Sequence, residues 1–108
     1  MSVFAATAGW NYISTVEEKY FTVDISSKGT LSSIDSTTLF DVTDYDNIAQ
    51  VAGSPLDGTS THSSGVITTQ RVDGSALTHG NQYSLEVVWT DSNSQEHLEV
   101  WPIICWRR

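Results

Sequence analysis

The chain has 108 residues and is poor in cysteine and in basic residues. Cys105 is its single cysteine, so no intrachain disulfide can form. It carries 5 basic residues against 13 acidic ones, and the formal net charge is -8. That balance excludes the positive footprint of a duplex DNA-binding protein and disfavours docking on an anionic membrane. We therefore expect no nucleic-acid partner and no membrane partner.

Long hydrophobic runs are also missing. No stretch approaches the roughly 18 apolar residues that a membrane-spanning helix needs. The first ten residues have no basic segment, and Thr7 and Gly9 interrupt their apolar run, so we expect no signal peptide. Cys105 lies in an apolar run and is expected to be a buried thiol. The lack of disulfides is typical of a protein assembled in a reducing cytoplasm.

Helical periodicity is absent, whereas a period of two is clear. Tyr83, Leu85, Val87 and Trp89 alternate with mostly polar residues, which indicates a half-buried strand. Residues 91–95 are short and polar, and Leu98 and Val100 then restart the alternation, with His97, Glu99 and Trp101 on the other face. We predict a β-hairpin here and, with about 6–8 short strands in all, an all-β, immunoglobulin-like or fibronectin III-like β-sandwich.

The rest of the chain is predicted to cover one face of this hairpin. Further strands are expected at residues 19–25, 37–43, 48–51 and 65–72. Residues 31–36 are interpreted as a linker or a short helical turn, 44–47 as a turn, and 52–65 as a long loop. Residues 1–18 form either an N-terminal arm that reaches a neighbour or an irregular first strand, and residues 19–108 form the β-sandwich domain.

A glycine turn precedes the first strand of the hairpin. Gly80 is followed by Tyr83 three residues later, and the segment resembles the tyrosine corner of immunoglobulin-like and fibronectin type III sandwiches. In that motif the tyrosine hydroxyl bonds to upstream backbone. The alternative is that Tyr83 is simply a core aromatic residue. Both interpretations are structural.

Motifs for catalysis and metal binding are lacking. The acidic residues within 41–47 lack the glycine and the bidentate glutamate of a calcium loop, so a solvated turn is expected. No pair among His62, His79 and His97 has the spacing of zinc ligands. There is no nucleophile elbow, phosphate loop or H-E-x-x-H motif. We therefore expect no metal, no cofactor and no enzymatic activity.

Aromatic residues near both ends of the chain suggest a surface for a protein partner. Trp101 either belongs to such a surface or packs under the N-terminal arm, and Pro102 is expected at a sheet edge or at the end of strand pairing. If Trp101 is buried under the N-terminal arm, the interface must be sought at residues 52–65. The candidate interface residues are Phe4, Trp10, Tyr12, Trp101, Trp106, Arg107 and Arg108.

Several short motifs occur in a fixed order along residues 19–104. Residues 20–27 read Y-F-T-V-D-I-S-S, residues 72–74 read V-D-G, and G-x-x-Y-x-L-x-V begins at Gly80, before a polar turn and a last strand. This pattern resembles a family of small virion proteins of tailed bacteriophages. The resemblance carries over no functional residue.

The resemblance implies a non-enzymatic role in the virion, after assembly in the host cytoplasm. The chain would be an adaptor or connector in the tail or neck that joins other virion proteins, in a symmetric multi-copy assembly. The alternative is a capsid decoration or cement protein, or a module for adhesion to carbohydrate or the host surface.

Overall fold

A computed structural model describes residues 10–106, and this part of the chain is all-β. Two single 3-10 turns, Tyr45–Asn47 and Gly74–Ala76, interrupt the strands. The strands are β1 (Asn11–Ile13), β2 (Glu18–Lys19), β3 (Thr22–Asp24), β4 (Leu31–Asp41), β5 (Ala49–Gln50), β6 (Leu56–Asp57), β7 (Thr61–Ser63), β8 (Val66–Thr68), β9 (Arg71–Asp73), β10 (Gln82–Asp91) and β11 (Glu96–Cys105).

The largest sheet is built around the hairpin of β10 and β11. Its five strands follow the order β1-β11-β10-β4-β5. β10 pairs antiparallel with β11 and with β4, while β1 joins the far side of β11 in parallel. The predicted hairpin is confirmed, and its turn covers residues 92–95.

Two three-stranded sheets, β2-β9-β6 and β3-β8-β7, face the large one. β2 and β3 follow each other along the chain, as do β8 and β9. Phe21 lies between β2 and β3, and Thr69 lies between β8 and β9. The Phe21 N–H donates to Thr69 Oγ1 at 3.1 Å, and the Thr69 N–H donates to the Phe21 carbonyl at 2.8 Å. The small sheets therefore act as one three-stranded layer with an irregularity where the register changes.

The core lies between the two layers. Its main cluster consists of Ile13, Phe21, Leu39, Val72, Leu77, Tyr83, Leu85, Val87, Trp101, Ile103 and Cys105. Ile25, Ile67 and Trp89 form a second cluster. The inward position predicted for alternate residues of the first hairpin strand is confirmed, although Ser84 and Glu86 on its other face are buried as well. Cys105 is buried as expected. Burial also raises the pKa of the Cys105 thiol.

The predicted faces of the second hairpin strand are reversed. Leu85 pairs with Trp101 and Trp89 pairs with His97. Because directly paired residues lie on the same face of a sheet, Trp101 must point inward with Leu85. Leu98 and Val100 lie on the outer face, where Leu98 is 47% exposed but Val100 is buried.

Two segments that we expected to be irregular are strands. Residues 31–36 form the first half of the 11-residue strand β4, which continues along β10 with register shifts. Residues 52–65 include β6 and β7, which pair with β9 and β8. Both segments are rich in serine and threonine and lie largely exposed, so no apolar alternation marks them.

Pro102 lies inside β11, opposite Ser84, rather than at its end. The Trp106 N–H bonds to the Ile13 carbonyl at 2.9 Å, so it faces β1. Pro102 lies four residues before Trp106, so its backbone also faces β1. The pairing of β11 with β1 begins only after it, at Ile103. Its missing N–H therefore removes no bond to β10, and its carbonyl accepts the Asn11 side-chain amide at 3.2 Å.

The loop before β10 is fixed through Tyr83. Its side chain is 3% exposed, and its hydroxyl accepts the Thr78 backbone N–H at 2.8 Å. Gly80 lies between them with φ +89°, a conformation that favours glycine. This is the contact to upstream backbone that the tyrosine motif predicts.

The V-D-G motif joins the N-terminal strands to the rest of the core. Val72 is fully buried, and the Asp73 carboxylate accepts the backbone N–H and the hydroxyl of Ser75 at 3.0 and 2.7 Å. These bonds, the side-chain one foremost, lower the pKa of Asp73. The Gly74 N–H donates to the Glu17 carbonyl at 2.8 Å. A Cβ on Gly74 would lie 1.9 Å from the Ser14 carbonyl oxygen, so the motif needs a residue without a side chain.

Candidate functional site

An aromatic surface lies on the outer face of the large sheet, where β1 runs beside β11. We define it as Trp10, Tyr12, Ile104, Trp106 and His79. Tyr12 pairs with Ile104 in register, so their side chains share a face. Trp10 lies two residues before Tyr12, and Trp106 lies two residues after Ile104. Both side chains therefore point to the same face.

The three large aromatic residues are well exposed for their size. Trp10 is 40% exposed, Tyr12 56% and Trp106 55%. Large exposed aromatic side chains that cluster are uncommon on a protein that acts alone, and they supply much of the binding energy at protein interfaces. The surface can therefore bury apolar area against a partner.

The core holds this surface in place from below. Ile13 and Cys105 alternate with the aromatic residues, point inward and are at most 1% exposed. The Gly80 N–H donates to the Cys105 carbonyl at 2.6 Å, and the Cys105 N–H donates to the Asn81 carbonyl at 3.0 Å. These bonds bring the His79 ring to 5.1 Å from the Trp106 ring, measured between centroids. The surface thus has a rigid base.

The structure places Trp10, Tyr12 and Trp106 of the predicted interface along one face of the β1–β11 pair, but not Trp101. Trp101 is 1% exposed and lies in the main core cluster, and its Nε1 donates to the Thr22 carbonyl at 3.3 Å. The exposed position considered for it is wrong, because β3 lies over the inner face of β11. Phe4, Arg107 and Arg108 lie outside the described residues.

Sequence reasoning did not single out Ile104 and His79 as parts of this surface. Ile104 reaches it only because β1 pairs in parallel with a strand about ninety residues further on. His79 reaches it through the glycine turn. No local pattern encodes either contact.

One group of carboxylates in residues 10–106 is close enough to hold a metal ion. Oxygens of Glu18, Asp57 and Asp73 lie within 4.8 Å of one another. The Arg71 guanidinium lies among them, 3.4 Å from Glu18 and 3.5 Å from Asp57. Its positive charge already neutralises part of the group, so the arrangement is that of an ion-pair cluster on strands β2, β9 and β6.

Of the acidic residues expected in a solvated turn, Asp44 and Asp46 form one, whereas Asp41 is the last residue of β4. Asp44 caps the 3-10 turn, accepting the Asp46 N–H at 3.0 Å and the Asn47 side-chain amide at 2.9 Å. These bonds, with Asn47 first, lower the pKa of Asp44. The described histidines take part in no three-residue group of possible metal ligands.

A charged network lies inside the hairpin. Glu99 is fully buried, and its carboxylate accepts Lys28 Nζ at 2.6 Å and Trp89 Nε1 at 2.9 Å. His97 stacks on Trp89 with 4.2 Å between ring centroids, and its Nε2 lies 2.8 Å from Asp91 Oδ2. Asp91 also accepts the Asn93 and Gln95 N–H groups of the turn. The bond to His97, followed by these turn bonds, lowers the pKa of Asp91.

We expect Glu99→Leu to reduce the free energy of unfolding by about 2 kcal/mol, because it leaves the buried Trp89 N–H without its acceptor. Glu99→Gln keeps an oxygen in reach of Trp89 and should cost about 1 kcal/mol. Urea titration measures both values. The exposed Glu96 on the same strand supplies the control, since Glu96→Leu should change stability by less than about 0.5 kcal/mol. Equal losses for Glu99→Leu and Glu96→Leu would contradict a structural role for the network.

Comparison of the chain with models of protein families, with curated proteins and with solved structures gives no match. Among the described residues no helix is long and apolar enough to cross a membrane.

Proposed function

We propose that this protein is a non-enzymatic structural component of a tailed-phage virion, with an immunoglobulin-like β-sandwich that joins other virion proteins through its aromatic surface. The place we assign to it is an adaptor or connector in the tail or neck, present in many symmetric copies. The observation that carries the proposal is the cluster of exposed aromatic side chains on a rigid sheet.

The order of the strands supports the immunoglobulin-like part of the proposal. In variable-type immunoglobulin domains, strands C, F and G share a sheet with an added strand C′, and strands B, E and D face them. Here β4, β10, β11 and β5 take the places of C, F, G and C′ in the same chain order. The layer of β2–β3, β8–β9 and β6–β7 corresponds to B, E and D. Tyr83 lies at the start of the strand that corresponds to F, as a tyrosine corner requires.

The aromatic surface supports a role in binding protein rather than in chemistry. Aromatic residues give large contact area for little loss of side-chain freedom, and they dominate the centres of protein interfaces. An acidic chain with a formal net charge of -8 stays soluble before assembly and favours partners of opposite charge. The phage part of the proposal is supported by the order of motifs along residues 19–104.

A complementation experiment tests the proposal. Virions are produced from a genome that carries the coding sequence, purified, and analysed by quantitative mass spectrometry. We expect the chain at a fixed copy number per particle. The double variant Tyr12→Ala/Trp106→Ala should be incorporated at least 10-fold less, because a loss of about 1.4 kcal/mol in binding already has that effect.

The control variant is Tyr20→Ala, since Tyr20 is 60% exposed but lies outside the aromatic surface. It should be incorporated like the unchanged protein. Absence of the chain from purified particles would overturn the virion assignment. Equal incorporation of the double variant and the control would place the contact elsewhere. Glycan binding that is lost in Trp106→Ala would favour the adhesion alternative.

A further inference from the structure

The outer side of β4 is covered over only a short part of its length. β5 pairs with Phe40 and Asp41, and the Val51 N–H then donates to the Leu39 carbonyl at 2.9 Å. After that bond the chain turns away at Gly53, which has φ +81°. Thr37 lies two residues before Leu39, so its backbone N–H and carbonyl face the same side. Within residues 10–106 no backbone group bonds to them there.

A groove follows this edge, and we call it the edge slot. It consists of two adjoining cavities of about 260 and 200 Å³, which share Thr37 and Gln70, and a hydrogen bond of 2.6 Å between the Thr37 and Ser60 hydroxyls joins its two walls. One wall is β4 from Ile34 to Leu39, and the other is residues 53–56 together with Thr59 and Ser60. The slot continues the line that β5 would follow if the chain did not turn away. Its course is therefore that of one missing strand.

The floor and walls of the slot differ in chemistry. Leu39 is 1% exposed, so the accessible apolar surface at the floor of the slot comes from the half-buried Val51 and Leu56. The walls carry neutral hydroxyl and amide groups, namely Thr37, Thr38, Gln50, Ser54, Ser60 and Gln70. Among the described residues that line the slot, Asp35 at the far end is the one that is charged.

The carboxylate of Asp35 is held in place and ionised. Its Oδ2 accepts the Thr90 hydroxyl and its Oδ1 accepts the Ser33 hydroxyl at 2.7 Å. The bond from Thr90, followed by that from Ser33, lowers the pKa of Asp35. This negative charge lies beside the far end of the slot, and the carboxylate is turned toward Thr90 on β10.

We propose that the edge slot binds an extended segment of a partner protein. The part of this segment that lies beside residues 37–39 is uncharged, and the part beside Asp35 carries a lysine or arginine. The segment adds a strand to β4 and bonds to the Thr37 backbone, which is a common way to recognise extended peptides. Its alternate side chains pack against Val51 and Leu56. A segment that continues the antiparallel line of β5 runs toward Asp35, so its basic residue lies at its C-terminal end.

Selection from a random heptapeptide library against the whole protein tests this inference. We expect enriched peptides to have an uncharged centre with aliphatic residues at alternate positions and a basic residue near the C-terminus. In NMR titrations with the enriched peptides, the amide shifts should concentrate at Ser36, Thr37, Leu39 and Gln70. A peptide with glutamate in place of the basic residue should bind at least 10-fold more weakly.

Two protein variants make the test specific. Ser54 is an exposed wall residue, so Ser54→Trp fills the slot and should reduce peptide affinity at least 10-fold, while Ser27→Trp on another exposed turn should not. Asp35→Lys should reverse the preference and favour the glutamate peptide. Failure to enrich any peptide, equal binding to Ser54→Trp, or no reversal in Asp35→Lys would overturn the proposal. Slot binding of a neutral saccharide such as galactose, with no peptide enriched, would overturn it too.

Discussion

Gly74→Ala should lower the free energy of unfolding by about 3 kcal/mol or more, one of the largest effects expected of a single methyl group in this protein. The new Cβ would lie 1.9 Å from the Ser14 carbonyl oxygen and 2.8 Å from that of Glu17. Both are backbone atoms, so no side-chain rotation relieves the clash. The β1–β2 connection must move, and the bond from Gly74 to Glu17 is lost with it. Thermal unfolding should show Tm reduced by about 12 °C or more.

Gly80→Ala separates this clash from the general cost of replacing glycine. Gly80 has φ +89°, but nothing lies within 4 Å of a Cβ built on it. Only backbone strain of about 1–2 kcal/mol is therefore expected. If Gly74→Ala is no more destabilising than Gly80→Ala, then Gly74 does not lie against the backbone of Ser14 and Glu17.

Trp101→Ala should cost about 4 kcal/mol of stability, because it removes a fully enclosed indole from the main core cluster and leaves a cavity. Trp106 is the matched control five positions along, with 55% of its surface exposed. Trp106→Ala should cost less than about 1 kcal/mol. Guanidinium titrations of the two variants and the unchanged protein give the comparison.

The two tryptophans are thus expected to separate stability from partner binding. Trp101→Ala should lower the free energy of unfolding, while Trp106→Ala should leave a folded protein that lacks one residue of the aromatic surface. Similar stability losses for both would mean that Trp106 also belongs to the core, and the aromatic surface would then lose its main residue.

The inward face of the first hairpin strand was predictable because its apolar residues occur at every second position and are all buried. Tyr83, Leu85, Val87 and Trp89 all point inward, as their alternation indicates. The second strand was not, because its inward face carries His97 and Glu99 beside Trp101. A buried carboxylate with a lysine and an indole as partners reverses the usual polarity pattern. Only the register of β10 against β11 decides which face is inside.

The polar strands show a second limit of local patterns. The first half of β4 and the whole of β7 consist largely of exposed serine, threonine and other polar residues. Their backbone pairing holds them in place, with little apolar side chain to mark one face. Backbone hydrogen bonds to a neighbouring strand depend on distant residues, so this part of the fold is invisible to composition and periodicity.

The candidate site was predictable in its residue types and not in its assembly. Trp10, Tyr12 and Trp106 were identified from aromatic content near the ends of the chain. Their meeting depends on a parallel contact between strands far apart in sequence. The edge slot depends on where the chain leaves β4, which follows from Gly53 and not from any binding motif.

Parallel pairing between the first and last strands sets the order of events during synthesis on the ribosome. Asn11 and Pro102, which bond to each other, are 91 positions apart in the chain. At a translation rate of 5–20 residues per second, β1 waits roughly 5 to 18 s for β11 to be made. Over that interval Ile13 lacks its register partner Cys105, so the large sheet is completed only after β11 has been made.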